Sequence, residues 1–269
     1  FASGKQENIK WNSLVKIKPD GNNTPLYFIH GSGLNVLMFY PMIKYMDAEQ
    51  PVYGLQAQGL DGNLPTFSTI EEIAKAYVNE VIGDRPNGAY AFIGYSLGGI
   101  IGLEMAKQLQ KLGKEVKFLG VVDTYIGNSN FFKSTFTIVV DKILRQPKKL
   151  LFFSGQFVKS AQKTINYQLD HVKNLSKKIF QPSKLANQIS LEDKINDIYM
   201  AAYMKYDLQP YHNTIHLFKV KERIYYIDDP EYLGWKPYAP KGLKITYING
   251  DHATFLTSPN DKSSAEIMQ

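Results

Sequence analysis

The sequence predicts an α/β fold: a mostly parallel sheet flanked by helices, interrupted by one inserted helical segment. Three observations predict it. Short apolar, β-rich runs recur along the chain, helix-period segments lie between several of them, and the alternation stops between about 127 and 205. Strands joined by crossover helices pair in parallel and are covered on both faces of their sheet.

The runs are LVKI (14–17), LYFIH (26–30), VYGLQ (52–56), AYAFIG (89–94), VKFLGVVD (116–123), TIHLFKV (214–220) and LKITYI (243–248). Their β-branched and aromatic content reads as strands. Ile70 to Val81 and Gly98 to Leu112 have helical periodicity, the second closed by Gly113 where a C-cap is expected. Within the interruption Val158, Ala161, Ile165, Leu169, Val172, Leu175 and Ile179 recur at steps of three and four, which predicts a helix with one apolar stripe. QPSKLANQ at 181–188 marks a break inside it. The chain thus divides into a lead-in linker (1–13), a core (14–126 and 206–269) and a helical lid (127–205).

Composition narrows the function. At 269 residues and 44% hydrophobic, the chain can bury a substantial core. It has no cysteine, so disulfides, Cys-ligated metal and a thiol nucleophile are excluded. No run approaches the roughly 18–20 apolar residues of a membrane span, and FASGKQENIK lacks the apolar region of a signal peptide, so a cytoplasmic setting is the expectation. The net charge of +6 is concentrated in 129–190, where eleven basic side chains face two acidic ones. Such an excess attracts acidic protein, anionic lipid or nucleic acid, or is a solvated helix face.

Gly94-Tyr95-Ser96-Leu97-Gly98 fits G-x-S-x-G, which sets a serine on a strained strand-to-helix turn with its hydroxyl above the sheet. The context fits too, since AYAFI reads as a strand before it and GGIIGLEMAKQL as a helix after it. Ser96 is therefore the candidate nucleophile, the competing reading being an ordinary turn serine. A serine hydroxyl needs a base, and the base an orienting acid, in the chain order Ser, Asp or Glu, His. His171, His212, His216 and His252 follow Ser96. His171 falls in the basic helix, and His212 and His216 bracket the start of a strand. His252, in NGDHATFL directly after the last strand, is the candidate base.

Asp123, ending FLGVVD, is the candidate acid, with Asp228 and Asp229 as rivals after the following strand. Leu97 N–H supplies one oxyanion donor, and HGSGLN the second, through Ser32 or else Gly31 or Gly33. A dinucleotide reading of GSGLNV fails, because Val36 replaces the third glycine and no ribose-binding acid follows. A metal at His212 and His216 fails on spacing: residues four apart on a strand lie roughly 13 Å from one another.

Taken together, LVKIKPDGNNTPLYFIHGSG, GYSLGG, VVD, YDLQPYHNTIHLFKV and LGWKPYAPKGLKITYINGDHATFL resemble, in order and spacing, the thioesterase domains that end nonribosomal peptide and polyketide synthases. The similarity runs from about Leu14 to Pro259, apart from the insertion. It implies an α/β-hydrolase fold with a helical lid, Ser96, Asp123 and His252 as the triad, and N–H groups of Ser32 and Leu97 as the oxyanion hole. It also implies that the chain has no cofactor or metal of its own. Its substrate is an acyl or peptidyl chain on the phosphopantetheine arm of a carrier domain, released to water or to a nucleophile within the chain. HGSGLN departs from the proline and further glycines of many members, which leaves the second oxyanion donor open. The lid segment is longer and more basic than is usual. Its apolar stripe is expected to close over the acyl chain while Lys173, Lys177 and Lys178 meet an acidic carrier domain. The start at Phe1 and the lead-in ASGKQENIKWNSLVKI, which resembles the linker after a carrier domain, favour an upstream carrier in the same polypeptide. Nucleic acid and membrane are not expected partners. The alternatives are a free-standing editing thioesterase or small-molecule esterase, and a hydrolase fold used only for binding.

Overall fold

The computed structural model describes residues 12–127, 146–155, 165, 190–223 and 225–269. The lead-in linker up to Trp11, the apolar stripe apart from Ile165, the break at 181–188 and Lys173, Lys177 and Lys178 lie outside them.

Among the described residues, seven strands form one sheet: β1 (Leu14–Lys18), β2 (Leu26–Ile29), β3 (Val52–Leu55), β4 (Tyr90–Tyr95), β5 (Val116–Val122), β6 (Ile215–Val220) and β7 (Leu243–Ile248). Their order is β1-β3-β2-β4-β5-β6-β7. All pairings are parallel except β1 with β3, which is antiparallel. Each predicted strand is found within one residue of its expected ends.

Period-two alternation sorts the strand side chains between two cores. Tyr27, Ile29, Tyr90, Phe92, Leu119 and Val121 face one layer of helices. These are α2 (Ile70–Asp84), α3 (Leu97–Lys111) and α4 (Leu191–Lys205), numbered after the short α1 (Tyr40–Ile43). Leu26, Phe28, Ala91, Ile93 and Val122 face the opposite layer, where α1 and α5 (Asp261–Met268) pack. Because β2, β3 and β4 are buried along their whole length, they read as apolar runs rather than as half-polar strands.

Local signals set the helix ends. Thr69 caps α2 by accepting the Glu72 N–H at 3.2 Å. Gly113 ends α3 at φ 70°, with Lys114 N–H donating to Leu109 O and Gly113 N–H to Gln110 O. That pair of bonds is the Schellman pattern, which needs a left-handed residue and hence glycine. Ser190 and Asp193 form a reciprocal capping box at the start of α4. Although α4 falls in the stretch assigned to the lid, its Ile195, Tyr199 and Ala202 are buried in the same core as α2 and α3.

A buried carboxylate fastens the end of α4 to α3. Glu104 Oε2 accepts from the Tyr206 hydroxyl at 2.7 Å and pairs with Lys107 Nζ at 3.0 Å, while Oε1 accepts from Gln108. Burial pushes this carboxyl up, but the three donors outweigh it and hold it below the ordinary glutamate value. Its stabilisation is therefore present above that value and lost as pH falls through the lower folded one. Glu104→Gln should cost about 1–3 kcal/mol at pH 7 by denaturant titration. The gap between variant and parent should narrow as pH falls past the ordinary glutamate value and through the lower folded one, where the parent carboxyl also becomes neutral. A gap that widens in acid would exclude this account.

Candidate active site

Ser96 leaves β4 and caps α3 at φ 53° and ψ −119°. That left-handed backbone costs an L-residue about 1–3 kcal/mol and persists only where its surroundings impose it. Here backbone imposes it. A Cβ at Gly94 would stand 2.1 Å from Gly98 O, and one at Gly98 would stand 2.5 Å from both the Ile29 and His30 carbonyl oxygens. The neighbouring strand holds the turn from both sides, for Ser96 N–H donates to Val122 O at 3.0 Å and the Thr124 hydroxyl to Ser96 O at 2.8 Å.

Asp123 follows β5 at φ 43° and is 1% exposed. Its Oδ2 lies 2.7 Å from His252 Nδ1 and accepts from the Tyr225 hydroxyl at 3.2 Å, while Oδ1 pairs with Arg223 Nη2. Burial pushes the carboxyl up, but the His252 hydrogen bond and the Arg223 charge more than offset it, so the group is held below the ordinary aspartate value. An ionised Asp123 accepts a hydrogen bond from Nδ1–H, which leaves Nε2 as the nitrogen with a free lone pair. The His252 side chain, in the loop after β7, is 33% exposed. Tyr95, the residue before Ser96, donates its hydroxyl to His252 O at 2.7 Å, and the two rings lie 4.9 Å apart. The strand that carries Ser96 thereby also holds the histidine loop.

The rival acids do different work. Asp229 accepts from the Tyr232 and Gly234 N–H groups at 3.0 and 2.9 Å, closing a turn. Asp228 is exposed, and its N–H contacts the Tyr125 hydroxyl. Of the three carboxylates, Asp123 is the one that meets His252.

Ser32 and Leu97 line the same cleft as Ser96, of about 110 Å³, with Met200 and Tyr203 of α4 on its wall. As the first residue of α3, Leu97 has an N–H with no intrahelical acceptor. Beneath this cleft lies a buried polar chain. His30 Nδ1 is 2.7 Å from Gly31 O and Nε2 is 2.9 Å from the Tyr77 hydroxyl, which is 2.8 Å from that of Tyr199. The Tyr199 hydroxyl accepts the Gln58 N–H at 2.9 Å. Burial pushes His30 down to about 4, so the ring is neutral, with Nδ1 donating and Nε2 accepting.

A larger cavity of about 410 Å³ lies at the amino ends of β5 and β6, lined by Lys117, His212, His216 and Lys241 among others. None of its lining residues is a carboxylate, so no Asp–His pair forms there.

A family model described as Thioesterase domain matches residues 24–267. The chain belongs to the thioesterase-domain family. Similar curated proteins include the atromentin synthetase of Tapinella panuoides, 35% identical over 114 residues that make up 42% of this chain and 12% of that protein. The inactive atromentin synthetase invA3 of Paxillus involutus is 40% identical over the same coverage. The matched stretch is thus about an eighth of these relatives' length. Among solved structures, the four-domain nonribosomal peptide synthetase AB3403, bound to AMP and glycine, superposes with TM-score 0.66 at 22% identity, covering 97% of this chain and 20% of that one. The NocB thioesterase domain, in covalent complex with a fluorophosphonate nocardicin G analogue, superposes with TM-score 0.64 at 19% identity, covering 94% and 96%. The thioesterase domain therefore has the α/β-hydrolase fold that the family resemblance implies, built on the mostly parallel sheet that the alternation of strands and helices predicts.

Sequence reasoning did not reach Tyr95, Thr124, Arg223, Tyr225 or the His30 chain. The signal for Arg223 was its place three residues past β6, which becomes informative once β6 is known to pair with β5. For the turn, Gly94→Ala should lose at least about 3 kcal/mol or fail to fold, because backbone cannot yield to the new methyl. Gly83→Ala, at an exposed position of α2 with open space around it, should instead gain about 0.5–1 kcal/mol. Thermal melts of the two variants check both signs.

Proposed function

We propose that the domain releases an acyl or peptidyl chain from a carrier-borne phosphopantetheine thioester through an acyl-Ser96 intermediate. The observation that carries this reading is the buried Asp123 paired with His252 Nδ1, beside a serine on a strained strand-to-helix turn. His252 Nε2 takes the Ser96 proton as Oγ attacks the thioester carbonyl, and the N–H groups of Leu97 and Ser32 receive the negative charge that develops on the carbonyl oxygen. Collapse breaks the C–S bond, and the imidazolium returns its proton to the departing thiolate. In the second half, His252 deprotonates water, or a hydroxyl or amine within the acyl chain, which attacks the ester and restores Ser96.

The family supports a thioester substrate, and the multidomain synthetases among the relatives support a carrier domain as the partner that delivers it. On this reading the domain has no cofactor of its own, since the phosphopantetheine arm arrives with the substrate. Met200 and Tyr203 give the cleft an apolar wall suited to the acyl chain.

Ser96→Ala should abolish release from an acyl-pantetheine thioester, and a fluorophosphonate should add one label, at Ser96. Labelling elsewhere, or undiminished turnover by the variant, would overturn the assignment. A fold used only for binding would leave the parent protein unlabelled. Asp123→Asn should lower kcat by up to about 10⁴ with the fold intact, whereas Asp228→Asn and Asp229→Asn should each cost less than about tenfold. Steady-state kinetics with circular dichroism on the same samples separates lost catalysis from lost structure.

A further inference from the structure

We propose that Arg223 is a positioning residue that grips the second oxygen of Asp123 and thereby sets the pH above which His252 can act as base. The inference rests on the active-site reading above and extends it to a residue outside the triad. A triad carboxylate has one task toward its histidine, and here it has a second partner of full positive charge. Arg223 Nη2 pairs with Oδ1, while His252 Nδ1 and the Tyr225 hydroxyl share Oδ2. The guanidinium is itself fixed. It donates through Nη1 to the Tyr225 hydroxyl at 2.7 Å, stacks on that ring at 4.9 Å, and its side chain is only 11% exposed. A surface arginine held by one contact would be free to swing into water; this one is pinned by three.

The arrangement has two consequences. Mechanically, Oδ1 cannot rotate away from Arg223, so Oδ2 stays on Nδ1, and Tyr225 stands edge-on to the imidazole at 6.2 Å. Electrically, Arg223 and His252 sit on the two oxygens of one carboxylate, so two cationic groups draw on a single negative charge. The remaining groups around His252 are common to the parent and to any variant at Arg223. Tyr95 from β4 and Tyr225 after β6 are neutral phenols whose ionisation burial pushes further up. Asp251 lies on the histidine's own loop, where its carboxylate accepts the Ala253 and Thr254 N–H groups. Of the charged residues just past β6, Lys221 bonds Asn249, and Glu222 meets the loop through its N–H to Gly250 O. Among the described residues, Arg223 is the Lys or Arg in direct contact with the acid. It reduces the negative charge that Asp123 offers the imidazolium, so the site should deprotonate, and become active, at lower pH than an ungripped Asp–His pair.

The test measures the rate of fluorophosphonate labelling of Ser96 against pH, by intact mass and peptide mapping, in the parent and three variants. Arg223→Met removes the charge, and the acid limb of the profile should move up by about one pH unit. Arg223→Gln keeps a donor for Oδ1 without the charge and should move the limb the same way; it carries the test if the Met variant does not fold. Arg223→Lys keeps the charge without the planar fork, and should leave the limb in place while lowering the plateau rate. A limb that stays put or moves down in the neutral variants would overturn the proposal and leave the Ser96 assignment intact. A parent protein not labelled at Ser96 would overturn both.

Discussion

The structure depends on how closely the first turn of α3 approaches the ends of β2 and β4. Gly98 lies against the carbonyls of Ile29 and His30, and Gly94 against that of Gly98, so the chain between them has room for one path only. On that path Ser96 takes a left-handed backbone, and its hydrogen bonds to β5 and Thr124 offset the strain. The rest of the site follows from strand order. Because β5 lies beside β4, β6 beside β5 and β7 beside β6, the residues leaving successive strands arrive side by side. Asp123, Arg223 and His252 come from three such exits and converge on one carboxylate.

Different parts of this arrangement were legible in the sequence for different reasons. The strands were readable because the central ones are buried on both faces, and burial on both faces leaves continuous apolar runs. Gly113 was readable because few residues other than glycine end a helix as it does. Ser96 announced itself by the glycines that its turn requires. Asp123 was legible as the candidate acid from its place at the end of the strand after α3, with Asp228 and Asp229 as rivals because they too follow a strand. What separates them is that Asp229 spends its carboxylate on a turn while Asp123 leaves the strand beside Ser96. Arg223 was illegible for a plainer reason: its partner lies 100 positions away, and no local pattern encodes a contact at that distance. The short α5 escaped for want of length, since eight residues give barely two turns of periodicity.

The early histidine shows a similar limit. In the sequence His30 is notable only as the neighbour of a glycine-rich loop. In the structure it is buried, neutral and bonded on both ring nitrogens. Its chain through Tyr77 to Tyr199 ties the loop after β2 to α2 and α4, so three elements share one buried polar network. Such a network specifies geometry when every member is satisfied, because a missing partner leaves a buried polar group unpaired. Tyr199 precedes Met200 by one residue and Tyr203 by one turn, so the same bonds that fix α4 also fix the wall of the cleft.

That network also bears on the second oxyanion donor, which the sequence leaves open among Ser32, Gly31 and Gly33. Gly31 O is held twice, by His30 Nδ1 at 2.7 Å and by Leu34 N–H at 3.0 Å. The peptide that joins Gly31 to Ser32 is planar, and in a trans peptide the N–H points opposite to the C=O. Fixing the Gly31 carbonyl therefore fixes the Ser32 N–H on the other side of the plane, with no proline or additional glycine needed in the loop to orient it. Where HGSGLN departs from the more glycine-rich pattern, the restraint comes from beneath, through a neutral histidine, rather than from the loop's own sequence. The proposed Ser32 donor is supported by this restraint, whereas the Gly33 N–H belongs to the next peptide along, outside the pair of bonds that holds Gly31.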